Sequence, residues 1–149
     1  MLAKKYINND NPLIISNSDQ YIKWNSSKSL YNFSTKKHDG AILTFEAIHP
    51  KWSYAKCDEN NFVNEVAEKK VISKNATVGV YFWKKGSDYV KYAEQMIKKN
   101  IRVNNEFYVC PVYNEAIKDN KKIVIEPVDE MHGLGTPEDL NNFIQYLKD

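Results

Sequence analysis

Glycine is scarce in this chain. Its 149 residues include five glycines: Gly40, Gly79, Gly86, Gly133 and Gly135. None precedes residue 40. That excludes a glycine-rich phosphate cradle from the first part of the sequence, since such a loop needs bare backbone to approach phosphate oxygens. Arginine is scarcer still, with Arg102 alone. The 21 basic and 19 acidic residues leave a net charge of +2, too balanced for nucleic acid as a bulk partner. The two cysteines, Cys57 and Cys110, form no CxxC pair, which excludes a zinc framework and a disulfide scaffold. They are expected to pack as small hydrophobes in a reducing cytoplasm. No apolar run approaches membrane-spanning length, and the opening MLAKKYINNDNP has no signal-peptide core. A cytoplasmic protein with no membrane partner is the expectation.

The residues present suit one soluble domain over 1–149. Hydrophobic residues make up 42% and charged residues 27%, enough apolar mass for a core. Aromatics reach 13%, with ten tyrosines. Strands favour Tyr and Phe, and that reading precedes one of aromatic sugar binding.

The pattern alternates between strand and helix. Residues 2–7 read as the end of a helix. Leu13-Ile14-Ile15 is a continuous apolar run, expected as a buried central strand. Its polar continuation, Asn17-Ser18-Asp19, lies where such sheets place ligands. Residues 26–37 predict a short helix and residues 41–46 a second buried strand. Residues 52–57 and 62–69 alternate around Asp58-Glu59-Asn60-Asn61, as a hairpin does. Trp52 and Tyr54 in it suit either core packing or stacking on a sugar. Residues 76–83 form a strand interrupted by Gly79, the mark of a bulge or of a close ligand approach. Residues 87–99 carry helical spacing with Ser87 as expected N-cap. Another helix follows Pro111, and residues 122–128 read as a strand. Thr136-Pro137-Glu138-Asp139 opens the last helix, with a stripe of Leu140, Phe143, Ile144 and Leu147 expected to be buried. Gly133 and Gly135 form a loop that serves as a plain turn and cap or favours an anion. His38, His49 and His132 lack metal-ligand spacing and are expected on the surface or in loops.

Five signals occur in a fixed order: LIISNSDQ, the hairpin WSYAK…EVAEK, NATVGVYFW, NNEFYVCPVYNEAI and GLGTPEDL. In that order the chain resembles the C-terminal, sugar-phosphate-binding part of the sugar nucleotidyltransferases, closest to branches serving capsule and surface polysaccharide. The resemblance runs from about Ile7 to Leu147. It implies an α/β fold, part of a three-layer, Rossmann-like (GT-A-like) domain with a mixed sheet and an inserted β-hairpin. It implies Asp19 as ligand of a catalytic Mg2+ and Lys69 as partner of the sugar phosphate. Glu68, Gly79, Tyr81 and Glu106 would line the sugar pocket, with Tyr54 beside them. The partners implied are a sugar 1-phosphate and a nucleoside triphosphate. Nucleotidyl transfer joins two anions, so a metal and a lysine are the chemistry it requires.

The chain departs from the family twice. The GxG-type loop that grips a triphosphate is not found in residues 1–20. In the tail, Gly133-Leu134 stands where many members carry a second metal-binding Asp, which leaves Asp129 or Glu130 as a substitute from upstream at a different spacing. The expectation is therefore a truncated enzyme, inactive alone, that takes a triphosphate only if another segment completes it. One alternative is a sugar-phosphate-binding or assembly module, with a partner chain or second copy covering the edge of 13–15. Another is a metal-dependent glycosyltransferase, although Asn17-Ser18-Asp19 is not a DxD motif.

Overall fold

The computed structural model describes residues 1–148. Its centre is one long strand. The run Asn75–Trp83 is apolar on both faces because both faces are covered, and eight of its nine residues are buried. Five earlier strands come before it in the chain. They are β1 (Leu13–Ser16), β2 (Gln20–Lys23), β3 (Gly40–Glu46), β4 (Tyr54–Cys57) and β5 (Val63–Ala67), and Asn75–Trp83 is β6. The remaining strands are β7 (Ile123–Pro127) and β8 (Glu130–Gly133). The helices are α1 (Lys4–Ile7), α2 (Ser26–Thr35), α3 (Gly86–Lys98), α4 (Val112–Lys118) and α5 (Pro137–Tyr146).

The main sheet runs β5-β4-β6-β3-β7, with β1 also on β6. β3 lies antiparallel to β6 and parallel to β7, so the sheet is mixed. One face carries Ile42, Tyr81 and Trp83 against α3 and α4. Trp83 stacks on Tyr113 with ring centroids 4.3 Å apart, and the Tyr113 hydroxyl donates to the carbonyls of Phe82 and Ala41. The other face packs Leu43, Val80 and Phe82 on Phe33 of α2. Helix, sheet and helix make the three layers expected of this fold class.

The expected hairpin is β4–β5, paired from Tyr54↔Ala67 to Cys57↔Val63. Cys57 and Cys110 are free, and Cys110 is buried. No helix among the described residues is long and apolar enough to cross a membrane.

Several expectations are corrected. Residues 13–15 form an edge strand rather than a central one. β1 pairs with β6 alone among the described residues, and Ile14 is 45% exposed. An apolar triplet reads as doubly buried only if both its edges and both its faces have neighbours. The helix at 86–98 is capped by extended Lys85, while Ser87 is drawn to α1's side by Asn9 and Asp10. The stripe on α5 is not buried: Leu140, Ile144 and Leu147 are all exposed. His38 lies in a loop but is not on the surface: it is buried beside Phe33, and burial lowers its pKa. A two-stranded ribbon, β2–β8, was not foreseen. It is short; Lys23–Glu130 at 2.7 Å joins its two strands, and the Tyr146 hydroxyl on Glu130 ties it to α5.

Candidate functional site

The edge of β6 changes partner midway. β1 covers residues 80–83 and β4 meets Ala76. Between them the residue after β1 and the residue before β4 are each pinned to β6 by a single bond. The Asn17 amide donates to the Gly79 carbonyl at 2.9 Å, and the Thr77 amide donates to the Ser53 carbonyl at 2.8 Å. The two strands diverge at this point, and a cleft of about 300 Å3 opens. Crevices at such partner changes are where α/β sheets hold ligands. The size is at the small end of ligand pockets.

Gly79 makes the opening possible. Its φ is +76°, a conformation that costs an L-residue about 1–2 kcal/mol. A Cβ there would sit 2.7 Å from Asn17 Cγ. The same kink shifts the β3–β6 register between Ile42 and Thr44. The glycine is thus both bulge and close approach.

The ribbon and the loop into α5 form the opposite wall, with Gln20, Met131, Gly133, Gly135, Thr136 and Asp139. The Leu134 amide donates to the Asp19 carbonyl at 2.8 Å. Asp19 Oδ2 lies 2.7 Å from where a Cβ on Gly135 would be, so only glycine leaves that carboxylate its place. The cap expected at Thr136 is present: its Oγ1 accepts from the Asp139 amide and donates to Asp139 Oδ2. That bond, followed by Lys51, holds the Asp139 pKa below the usual carboxylate value.

Glu68 lies at the floor. The hairpin register places Ser53 opposite Glu68, and the Ser53 hydroxyl donates to Glu68 Oε2. Burial raises the Glu68 pKa, against the opposing effects of Ser53 and Lys69. Beneath it the Tyr81 hydroxyl shares a hydrogen bond with Thr77 Oγ1 at 3.1 Å.

The structure brings together Asp19, Glu68, Gly79 and Tyr81 of the sequence-derived residues. It does not bring the others. Tyr54 is fully buried, with its hydroxyl on the His49 carbonyl, while Trp52 lines the cleft. Lys69, at φ +53°, donates from Nζ to the Tyr108 hydroxyl at 2.9 Å. Tyr108 in turn donates to Glu106 Oε2 at 2.6 Å, so Lys69 and Glu106 share an exposed cluster outside the cleft lining. Asp129 sits at the far end of the ribbon, its amide on the Lys23 carbonyl, whereas Gln20 pairs with Gly133 at the cleft end. Asp129 and Asp19 therefore do not share a site. No group of three or more His, Cys, Asp or Glu side chains suited to a metal occurs among the described residues. A lone carboxylate such as Asp19 is compatible with Mg2+, which takes one or two carboxylates and would draw its other ligands from phosphate and water.

Asn17, in the polar continuation of the first strand, lines the cleft, while sequence reasoning missed Gln20, Lys51 and Ser53. Ser53 was hidden by the bulge between Lys56 and Cys57: counting back from Cys57↔Val63 sets it opposite Ala67, and the register shift moves it to Glu68. Gln20 is notable because its Nε2 is buried without a partner. An unpaired buried amide costs about 1–3 kcal/mol. Gln20→Met should therefore raise stability without ligand by up to about 1 kcal/mol in urea unfolding. A loss of stability would mean that the amide is already paired.

No protein-family model matches the chain, and comparison with curated protein sequences gives no match. Solved structures do match. One is a nucleoside-diphosphate-sugar pyrophosphorylase from Vibrio cholerae RC9, at TM-score 0.76 and 22% identity, over 97% of this chain and 60% of that one. Another is a candidate glucose-1-phosphate thymidylyltransferase from Bacillus anthracis in complex with a sucrose, at TM-score 0.75 and 15% identity, over 99% of this chain and 58% of that one. The likeness shows the fold: a mixed α/β sheet of the kind found in sugar nucleotidyltransferases. The chain spans about three-fifths of the length of these structures.

Proposed function

We propose that the cleft binds a sugar 1-phosphate, and that the chain supplies the sugar-phosphate side of nucleotidyl transfer in nucleotide-sugar synthesis. The observation that carries this is the meeting of Asp19, Glu68, Gly79 and Tyr81, far apart in sequence, around one sugar-sized cleft. The fold likeness supports it.

The residues suit the task. The Glu68 carboxylate accepts from sugar hydroxyls, and such charge-assisted bonds are among the strongest available. Gly79 lets the ring lie against bare backbone. Tyr81, fixed by Thr77, forms a rigid floor. Asp19 would hold Mg2+, which when bound offsets phosphate charge. The glycine-rich loop that grips a triphosphate is not among these residues, so they bind the sugar phosphate and do not turn over a triphosphate by themselves. The EVAEK and LGTPEDL strings add the reading that the product serves capsule or surface polysaccharide in the cytoplasm. A second reading, a module completed by another chain, is favoured by the free edge of β1 with Ile14 exposed.

Calorimetry tests the proposal with glucose 1-phosphate and a nucleoside triphosphate titrated separately into the chain with Mg2+. The expected result is binding of the first and none of the second. Tight triphosphate binding with no response to the sugar phosphate refutes it.

A further inference from the structure

The cleft has a charge problem. Its lining includes three carboxylates, Asp19, Glu68 and Asp139, and a single lysine, Lys51. A phosphate dianion entering that lining meets net negative charge, and Lys69 reaches away from it to the Tyr108 hydroxyl. We propose that Lys51 is the cation that takes the phosphate of the bound sugar phosphate, giving up Asp139 to do so. The proposal rests on the reading of the cleft given above.

Lys51 is placed for this role. The Lys51 amide donates to His49 Nδ1 at 3.1 Å, which fixes the backbone in a turn at the cleft rim. Its ammonium lies 4.7 Å from the centroid of the Trp52 ring, so the side chain is held along the wall. Its ion pair with Asp139 Oδ1 is 3.1 Å long, and the lysine side chain is 45% exposed. Pairs exposed to this degree contribute little, so exchanging the partner costs little. Asp139 does not depend on Lys51 either. It keeps the Thr136 hydroxyl on Oδ2, and a carboxylate in the first turn of α5 is favoured by the helix dipole. A phosphate oxygen offers Lys51 a stronger partner than a carboxylate already shared with Thr136.

The test is calorimetric titration of glucose 1-phosphate into the full chain as wild type, Lys51→Met, Lys51→Arg and Lys69→Met. Lys51→Met should raise Kd about ten-fold or more, consistent with loss of one hydrogen bond to a charged group. Lys51→Arg should stay within about three-fold of wild type, since it keeps the charge. Lys69→Met makes the same change in net charge and should stay within about two-fold if long-range attraction is screened. Thermal melts should show all three variants folded. Equal losses in Lys51→Met and Lys51→Arg would indicate a structural role and overturn the proposal. So would a wild-type Kd in Lys51→Met, or a larger loss in Lys69→Met. If wild type itself fails to bind glucose 1-phosphate, the reading of the cleft falls and the proposal with it. A failure confined to the variants removes Lys51 alone.

Discussion

Glu68→Ala should weaken glucose 1-phosphate binding about 100-fold, because a hydrogen bond to a charged acceptor is worth about 1.5–3 kcal/mol and a carboxylate can take two hydroxyls. Glu68→Gln keeps one acceptor and should lose about ten-fold by the same reasoning. The two variants differ in stability. Burial raises the Glu68 pKa above its ordinary value. Between the unfolded and folded values the folded state holds the proton more tightly, so stability falls as pH rises through that window. Above it, ionised Glu68 is a standing cost. Glu68→Gln removes that cost and should keep the Ser53 bond, so its Tm at neutral pH should exceed wild type by about 1–3 °C, a small gain because the part-exposed carboxyl is screened. The difference should close as pH falls towards the ordinary carboxylate value. A variant that binds less yet melts higher is the signature of a residue kept for its ligand. A lower Tm at neutral pH would make Glu68 a structural residue.

Gly79→Ala should be the most damaging single-methyl change near the site. Its φ of +76° imposes backbone strain of about 1–2 kcal/mol on alanine. The added Cβ also falls 2.7 Å from Asn17 Cγ, overlap that typically costs about 1–3 kcal/mol. Urea unfolding should show a loss of about 2–4 kcal/mol. Adding Asn17→Ala in the same chain removes the two nearest contacts, leaves the residue 17 Cβ at 3.1 Å and leaves the strain, so it should restore less than half. A loss under about 0.5 kcal/mol would mean that the strand is not kinked as described.

Much of the fold was legible where the signal was local. The bulge at Gly79 followed from a glycine inside an otherwise bulky strand. The Thr136 cap followed from a Thr-Pro-x-Asp string whose bonds close within four residues. The β4–β5 hairpin followed from its alternation and turn. Failures came where burial depends on what lies alongside. Leu13-Ile14-Ile15 has the composition of a central strand and lies at an edge. The stripe on α5 has helical spacing, but it faces a ribbon of two short strands rather than a sheet. That ribbon joins Gln20 to Gly133, and nothing local encodes a pairing across more than a hundred residues.

The site was legible in the same uneven way. Asp19, Glu68, Gly79 and Tyr81 meet because the end of β1 and the open end of the β4–β5 hairpin lie where the partner of β6 changes. Lys69 and Glu106 were drawn to each other through Tyr108, a contact that short-range reading does not reveal. Lys51 lies in a loop with no motif, and only its reach to Asp139 brings it into the cleft.

The most direct measurement is an amide proton–nitrogen correlation spectrum of the labelled chain, recorded as glucose 1-phosphate is added with Mg2+. The account predicts saturable shifts at Asn17, Asp19, Ser53, Glu68, Gly79 and Gly135, with α3 and α4 unmoved. Shifts confined to the Lys69–Tyr108–Glu106 cluster, or no saturable shift at all, would contradict it.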